Sequence, residues 1–173
     1  MTSPHAGRRL RAFAYRIFYG LPGRWRRRLV RLVVPKFVLG SVVLVRDADA
    51  PAPGRLLLVR QPPGTGWSLP AGLMRRGERP IDAAARELGE ETGIELTADD
   101  LTPAVPGAIV HSPQGRWVDN VFEARISPDV TLRPDGAEVL EVAWYSLDTL
   151  PPLTNATARL LAHYGLGPLA DFP

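Results

Sequence analysis

Residues 72–94 read GLMRRGERPIDAAARELGEETGI, and near the end of this stretch Glu87, Glu90 and Glu91 crowd together. Pro80 suits the first turn of a helix. Ile81, Ala84, Ala85 and Leu88 recur at helical spacing, and Gly93 suits a left-handed cap. The stretch therefore predicts a helix from Pro80 to about Glu91. Positions i, i+3 and i+4 share one face of a helix, so the three carboxylates stand together, opposite the apolar residues. That arrangement is costly. The C-terminal end of a helix already carries partial negative charge, and like charges three or four residues apart repel. Only Arg86 stands close enough along the chain to offset them. A solvated charged face, which is what most charge runs are, explains one glutamate well and three poorly.

Oxygen ligands clustered in this way suit a hard divalent cation, Mg²⁺ first and Mn²⁺ second. A bound cation would remove the repulsion and offset the helix dipole. The preceding loop, residues 72–79, holds Gly72, Gly77 and a further carboxylate, Glu78. Its glycines let it fold tightly against the helix, which would return Glu78 to the cluster. Mg²⁺ usually keeps several waters and binds through a few carboxylates plus substrate phosphates, so the pattern points to phosphate chemistry.

Working outward, RRLRAFAYRIFY (8–19) places Leu10, Phe13, Ala14, Ile17 and Phe18 at the spacing of an amphipathic helix. GLPG (20–23) breaks it, and RWRRRLVRLVV (24–34) puts Trp25, Leu29, Leu32 and Val33 on one side before Pro35. The pair reads as a basic helical hairpin. FVLGSVVLVR (37–46) and RLLLVRQ (55–61) read as buried strands forming a hairpin. Further strands are expected near 104–111, 117–126 and 138–145, with a last helix over 154–164. Strands and helices mix without regular βαβ alternation, so the expected class is α+β, with a mixed α/β sheet.

With those residues in view, the stretch 72–94 resembles the Nudix box, Gly-x5-Glu-x7-Arg-Glu-U-x-Glu-Glu-x-Gly-U with U a bulky aliphatic. It matches at Gly72, Glu78, Arg86, Glu87, Leu88, Glu90, Glu91, Gly93 and Ile94 without a departure. The likeness extends over much of 37–160. It implies an α/β/α sandwich around a mixed sheet. It also implies Mg²⁺-dependent hydrolysis of a diphosphate bond in a nucleoside diphosphate linked to another moiety: a nucleotide sugar, ADP-ribose or a nucleoside triphosphate. By resemblance Glu87, Glu90 and Glu91 are metal ligands, Glu78 assists, and Arg86 orients a glutamate by a charge-assisted hydrogen bond.

Just before the box stands Pro70-Ala71-Gly72, where many relatives have Pro-Gly-Gly. This resembles the ADP-ribose and ADP-sugar branch, in which that alanine's carbonyl binds metal, and makes Ala71 a main-chain ligand candidate. Ser68 stands where that branch usually has Glu, so the tilt toward it is slight. Trp67 and Trp117 are candidates for stacking on a base, with hydrophobic packing an equal alternative. Arg60 is a candidate for offsetting substrate charge, though exposure alone would also explain it. Glu138 is a candidate extra carboxylate from beyond the box; solubility at a strand edge is the plainer reading. Asp119 and Glu123 are weaker candidates of the same kind, and His111 is a candidate for touching phosphate, with a hydrogen-bonded surface histidine the more ordinary reading.

The chain has 173 residues and 45% hydrophobic content, enough to bury a core. It has no cysteine, which excludes disulfides, zinc–cysteine sites and a thiol nucleophile. Its net charge of +3 divides unevenly. Residues 1–36 hold nine Arg and one Lys with no acid, leaving 11 basic against 18 acidic residues, or −7, for the rest. The expected organisation is a basic amphipathic helical extension (1–35), a catalytic domain (36–165) and a tail (166–173). The extension would pack on the domain, associate with another copy, or bind an anionic membrane surface through residues 8–34. Nucleic acid is disfavoured, since it would not need Phe13, Ile17, Phe18 and Trp25 in register. The expected location is cytoplasmic, with a peripheral membrane position left open by the arm. The alternative reading of the whole is a nucleotide-sensing module that binds without turnover. Such modules usually lose box glutamates, and this chain keeps them all.

Overall fold

The structure, a computed structural model, describes residues 4–34, 36–111, 116–134 and 136–171. They fall into two compact units, Met1–Lys36 and Phe37–Pro173. The first unit is helical. α1 (Pro4–Gly20) and α2 (Gly23–Val33) flank the break at Leu21 and Pro22, whose carbonyl accepts from the Trp25 N–H at 2.9 Å. None of the α2 side chains is buried. The Leu10 side chain and Pro35, both used in the sequence reading, lie outside what is described. No described helix is long and apolar enough to cross a membrane.

The second unit is built on one mixed sheet. Its strands are β1 (Val38–Asp47), β2 (Arg55–Arg60), β3 (Trp67–Ser68), β4 (Ala71–Leu73), β5 (Thr102–His111), β6 (Trp117–Ile126) and β7 (Glu141–Ser146). The order is β3-β2-β1-β6-β5, with β4 also on β1 and β7 also on β2. β1 runs parallel to β6 over its whole length, from Val38↔Trp117 to Asp47↔Ile126, and antiparallel to β4. The apolar runs in β1 and β2 lack polar alternation because both faces are covered. On one face Val43, Val45, Leu57 and Phe122 pack with Ala84 and Leu88 of α3 (Pro80–Thr92). On the other Val42, Leu44, Leu56, Leu58 and Val121 pack with Leu160 and Leu161 of α4 (Asn155–Ala162). The result is the α/β/α sandwich that the resemblance implied.

Two expectations need correction, and two short strands were not expected. The 37–46/55–61 hairpin is only a corner: β1 and β2 pair at Arg46↔Leu56, and β2 then pairs with β7 from Arg55↔Ser146 to Arg60↔Glu141. Pairing β2 with β7 buries both of its edges, which a local hairpin cannot do. The strand expected from 138 begins at Glu141, so Glu138 sits in the loop before it. β3 and β4 are too short, and too close to Pro70, to leave a readable period.

Candidate active site

α3 is held against the sheet at its start, where Ser41 Oγ of β1 donates to the Pro80 carbonyl at 2.8 Å. At its end Gly93 adopts the left-handed conformation (φ 76°) and its N–H closes on the Gly89 carbonyl. Between these points the helix lies over β1 and β4, and its polar side faces the 72–79 loop.

Arg86 organises that side. Its Nε and one Nη donate to the two Glu78 oxygens at 2.8 and 3.0 Å. The other Nη donates to Glu87 at 2.6 Å and Glu90 at 3.1 Å. A further bond reaches the Leu73 carbonyl at 3.0 Å, tying helix to β4. Arg75 adds its backbone N–H to Glu78 and its guanidinium to Glu90 at 3.0 Å. The glutamates therefore have a second basic neighbour, one the local sequence does not reveal because it arrives from the loop. The Arg86 guanidinium and the Arg75 N–H hold the Glu78 carboxyl down at about 2. The same bonds push the Arg86 pKa up.

Glu91 departs from expectation. Its side chain does not point outward with Glu87 and Glu90 but is buried. It accepts from Gln61 Nε2 at 2.7 Å and from the Ala71 N–H at 2.9 Å. Burial, and to a lesser degree the Glu87 and Glu138 charges, raise its pKa to about 8 against those two bonds. α3 crosses the sheet where β2 ends and β4 begins, so the face one turn beyond Glu87 lies under protein. Gln61, the residue that holds Glu91, carries no motif signal; only the packing identifies it.

Gly72 sits where a Cβ would overlap the Glu87 carboxylate. Ala71 and Gly72 also line two clefts on the far side of β4. One, of 310 Å³, is lined by Gln61, Ser68, Ala71, Asp119, Thr154 and Thr157 among others. The second, of 620 Å³, includes Gly72, His111, Trp117, Asp119, Asn155 and Arg159. β4 is thus a thin wall, nearly free of side chains, between the glutamates and open space. Trp117 lines the second cleft, with its Nε1 donating to Asp119 at 2.6 Å. Asp119 also pairs with His111 Nε2 at 2.7 Å. Glu138 is near enough to act on Glu91.

Trp67 and Arg60 are placed differently from the substrate-binding expectation. Trp67 is 8% exposed, packs edge-on against Tyr145 with centroids 4.8 Å apart, and lies under the Arg60 guanidinium. Arg60 is itself paired with Glu141 at 2.5 Å. The Trp67 ring is committed to the core, which is the packing alternative.

Four carboxylates, Glu78, Glu87, Glu90 and Glu91, face two guanidiniums here, leaving two negative charges if all are ionised. Among the described residues no three carboxylates or histidines close on one point, because Arg86 holds the centre of the group. The donor set fits a divalent cation all the same: it is all oxygen, its acids outnumber its guanidiniums, and one of its carboxylates is buried, where a nearby cation would favour the ionised form.

Comparison with known proteins identifies the family. A family model described as the NUDIX domain matches residues 36–164. The 8-oxo-dGDP phosphatase NUDT18 of Homo sapiens is 30% identical over 134 residues, 75% of this chain and 36% of that protein. A MutT-like protein of Streptomyces ambofaciens is 35% identical over 95 residues, 55% of this chain and 57% of that protein. The chain thus spans less than two thirds of the length of these curated relatives. Among solved structures, the MutT NUDIX hydrolase from Burkholderia pseudomallei superposes with a TM-score of 0.59 at 27% identity, covering 74% of this chain and 98% of that one.

Proposed function

Since the chain belongs to the Nudix family, we propose that it is a divalent-metal-dependent hydrolase of a diphosphate bond in a nucleoside diphosphate linked to another moiety. Residues 36–165 form the catalytic domain, with 1–35 and 166–173 as appendages. The observation that carries this reading is the gathering of Glu78, Glu87 and Glu90 on Arg86, with Glu91 buried behind the Ala71–Gly72 wall of a cleft. The family's nucleotide substrates and this all-oxygen donor set support it together.

Glu87, Glu90, Glu91 and the Ala71 carbonyl would hold Mg²⁺, with Mn²⁺ as a substitute. The metal, when bound, would activate water and neutralise charge on the phosphoryl group. Arg86 orients Glu87 and Glu90 and fixes Glu78 to the Leu73 carbonyl through its planar fork, a geometry that a lysine cannot reproduce. Glu78 accepts hydrogen bonds across the ordinary pH range but is a poor proton acceptor, since its own bonds keep it ionised. Gln61 and the Ala71 N–H aim Glu91 at the wall rather than at solvent. The clefts beyond β4 take the rest of the substrate, with Trp117 offering a ring face at the mouth of the larger one. The substrate candidates are nucleotide sugars, ADP-ribose and nucleoside triphosphates.

The test is product release from a panel of those compounds with Mg²⁺, with EDTA, and with Glu90→Gln. Glu90 is half exposed, so its amide should fold normally. We expect metal-dependent cleavage of one class, reduced at least about 100-fold by the substitution, as for loss of one charge-stabilising group. Cleavage that survives in EDTA or in the variant would defeat the assignment.

A further inference from the structure

The helical unit Met1–Lys36 lies almost wholly outside the residues that match the family, 36–164, yet it is the most polarised segment of the chain. It has nine arginines, one lysine and no acid. In α2, Arg24, Arg27, Arg28 and Arg31 recur at i, i+3, i+4 and i+7 and so share one face. Trp25, Leu29, Leu32 and Val33 recur at i, i+4, i+7 and i+8 on another. These apolar side chains are in the open: Leu32 is 84% exposed, Val33 78%, and Phe13 and Ile17 of α1 62% and 53%. Between the helices lies an open groove of 600 Å³, lined by Ala14, Tyr15 and Phe18 on one side and Leu29, Val30 and Val33 on the other. Arginine heads sit over aromatic rings, Arg28 on Trp25 at 5.3 Å and Arg26 on Tyr19 at 5.8 Å.

An apolar surface of this extent on a charged unit marks an interaction site. Its charge narrows the occupant. A second copy would set ten positive groups against ten. A nucleic acid would meet the arginines and leave Phe13, Ile17 and Leu32 in water. A surface that offers negative charge and hydrocarbon within a few ångströms of each other satisfies both faces, and arginine stems are long enough to bridge the two zones. We propose that α1 and α2 dock in the headgroup region of an anionic phospholipid bilayer, with Phe13, Ile17, Trp25 and Leu32 entering the acyl boundary and the arginines pairing with lipid phosphates. The proposal does not depend on the reaction assigned above.

The test is sedimentation of the full chain with large unilamellar vesicles of phosphatidylcholine alone, or of phosphatidylcholine with phosphatidylglycerol at about 30%. We expect binding to the anionic vesicles that weakens as salt rises, and little to the neutral ones. Replacing Arg24, Arg27, Arg28 and Arg31 together by Gln should lower it at least about 100-fold, since each arginine near such a surface contributes about fivefold. Phe13→Ser with Ile17→Ser and Leu32→Ser should lower it at least about tenfold by loss of apolar burial. Circular dichroism and a thermal melt establish that each variant is folded. The four arginines are all exposed, so the glutamine variant decides the matter if the serine variant misfolds. Equal binding to both vesicle types, or undiminished binding by the glutamine variant, overturns the proposal. So does absence of vesicle binding with a sedimentation coefficient that falls in the serine variant, which would assign the face to a second copy.

Discussion

Arg86 and Glu78 show how one residue pair serves both folding and site. The guanidinium touches three glutamates and a main-chain carbonyl, so three acidic side chains are held close together by one residue. Glu78 carries the pH signature of that arrangement. Its pKa is about 2 in the folded protein against an ordinary 4.5. A lowered folded-state value means that its contribution to stability is complete above about 4.5 and is lost as pH falls toward 2. We therefore expect the melting temperature of the wild type, in EDTA, to exceed that of Glu78→Gln by a constant margin from pH 5 to 7. The margin should shrink steadily below about pH 4.5. Differential scanning calorimetry of the two proteins across that range measures it; a margin that widens in acid would refute the pairing.

Among the elements, β4 decides the layout with three residues. Ala71 donates its N–H to Glu91, Leu73 accepts from Arg86, and Gly72, opposite Ser41 of β1, leaves room for the Glu87 carboxylate. A methyl group at 72 would occupy that room. The obstacle is the end of a flexible side chain, so it can be displaced without unfolding the strand. Gly72→Ala is expected to change unfolding free energy by no more than about 1 kcal/mol, as for substitutions outside the core. The same change should cut kcat by about 10- to 100-fold, the usual cost of misplacing a ligand's support. Urea denaturation and steady-state kinetics separate the two effects, and an unchanged kcat would show that Glu87 does not need its present position.

For the molecule as a whole, the two units differ in kind. The sheet unit has a core layer on each face, one under α3 and one under α4. The helical unit has no buried side chain in α2 and an open apolar groove. The sheet unit therefore has the requirements of an independent domain. A chain starting at Phe37 should keep its cooperative melt and hydrolyse substrate within about twofold of the full chain, while losing attachment to anionic vesicles. Loss of hydrolysis on truncation would mean that the helices complete the site.

Some of this protein could be read without coordinates because it depends on local spacing. The α3 helix, its Pro80 start and its Gly93 cap follow from residues within one or two turns of each other. So does the shared face of Glu87 and Glu90, set by a period of 3.6. The apolar runs of β1 and β2 announced strands covered on both sides. The box itself named Glu78 and Arg86 across a loop, through resemblance rather than derivation. What the linear pattern leaves undetermined is everything set by contacts between distant segments. Burial of Glu91, its hold by Gln61 thirty residues away, the commitment of Trp67 to the core, and the pairing of β2 mainly with β7, with only a corner on β1, depend on which surfaces meet. So do the clefts beyond β4, assembled from β1, β4, β6 and α4. Local chemistry determines what each residue can offer; only tertiary packing determines which offers are taken up, because burial and pairing are properties of the neighbours a side chain finally has.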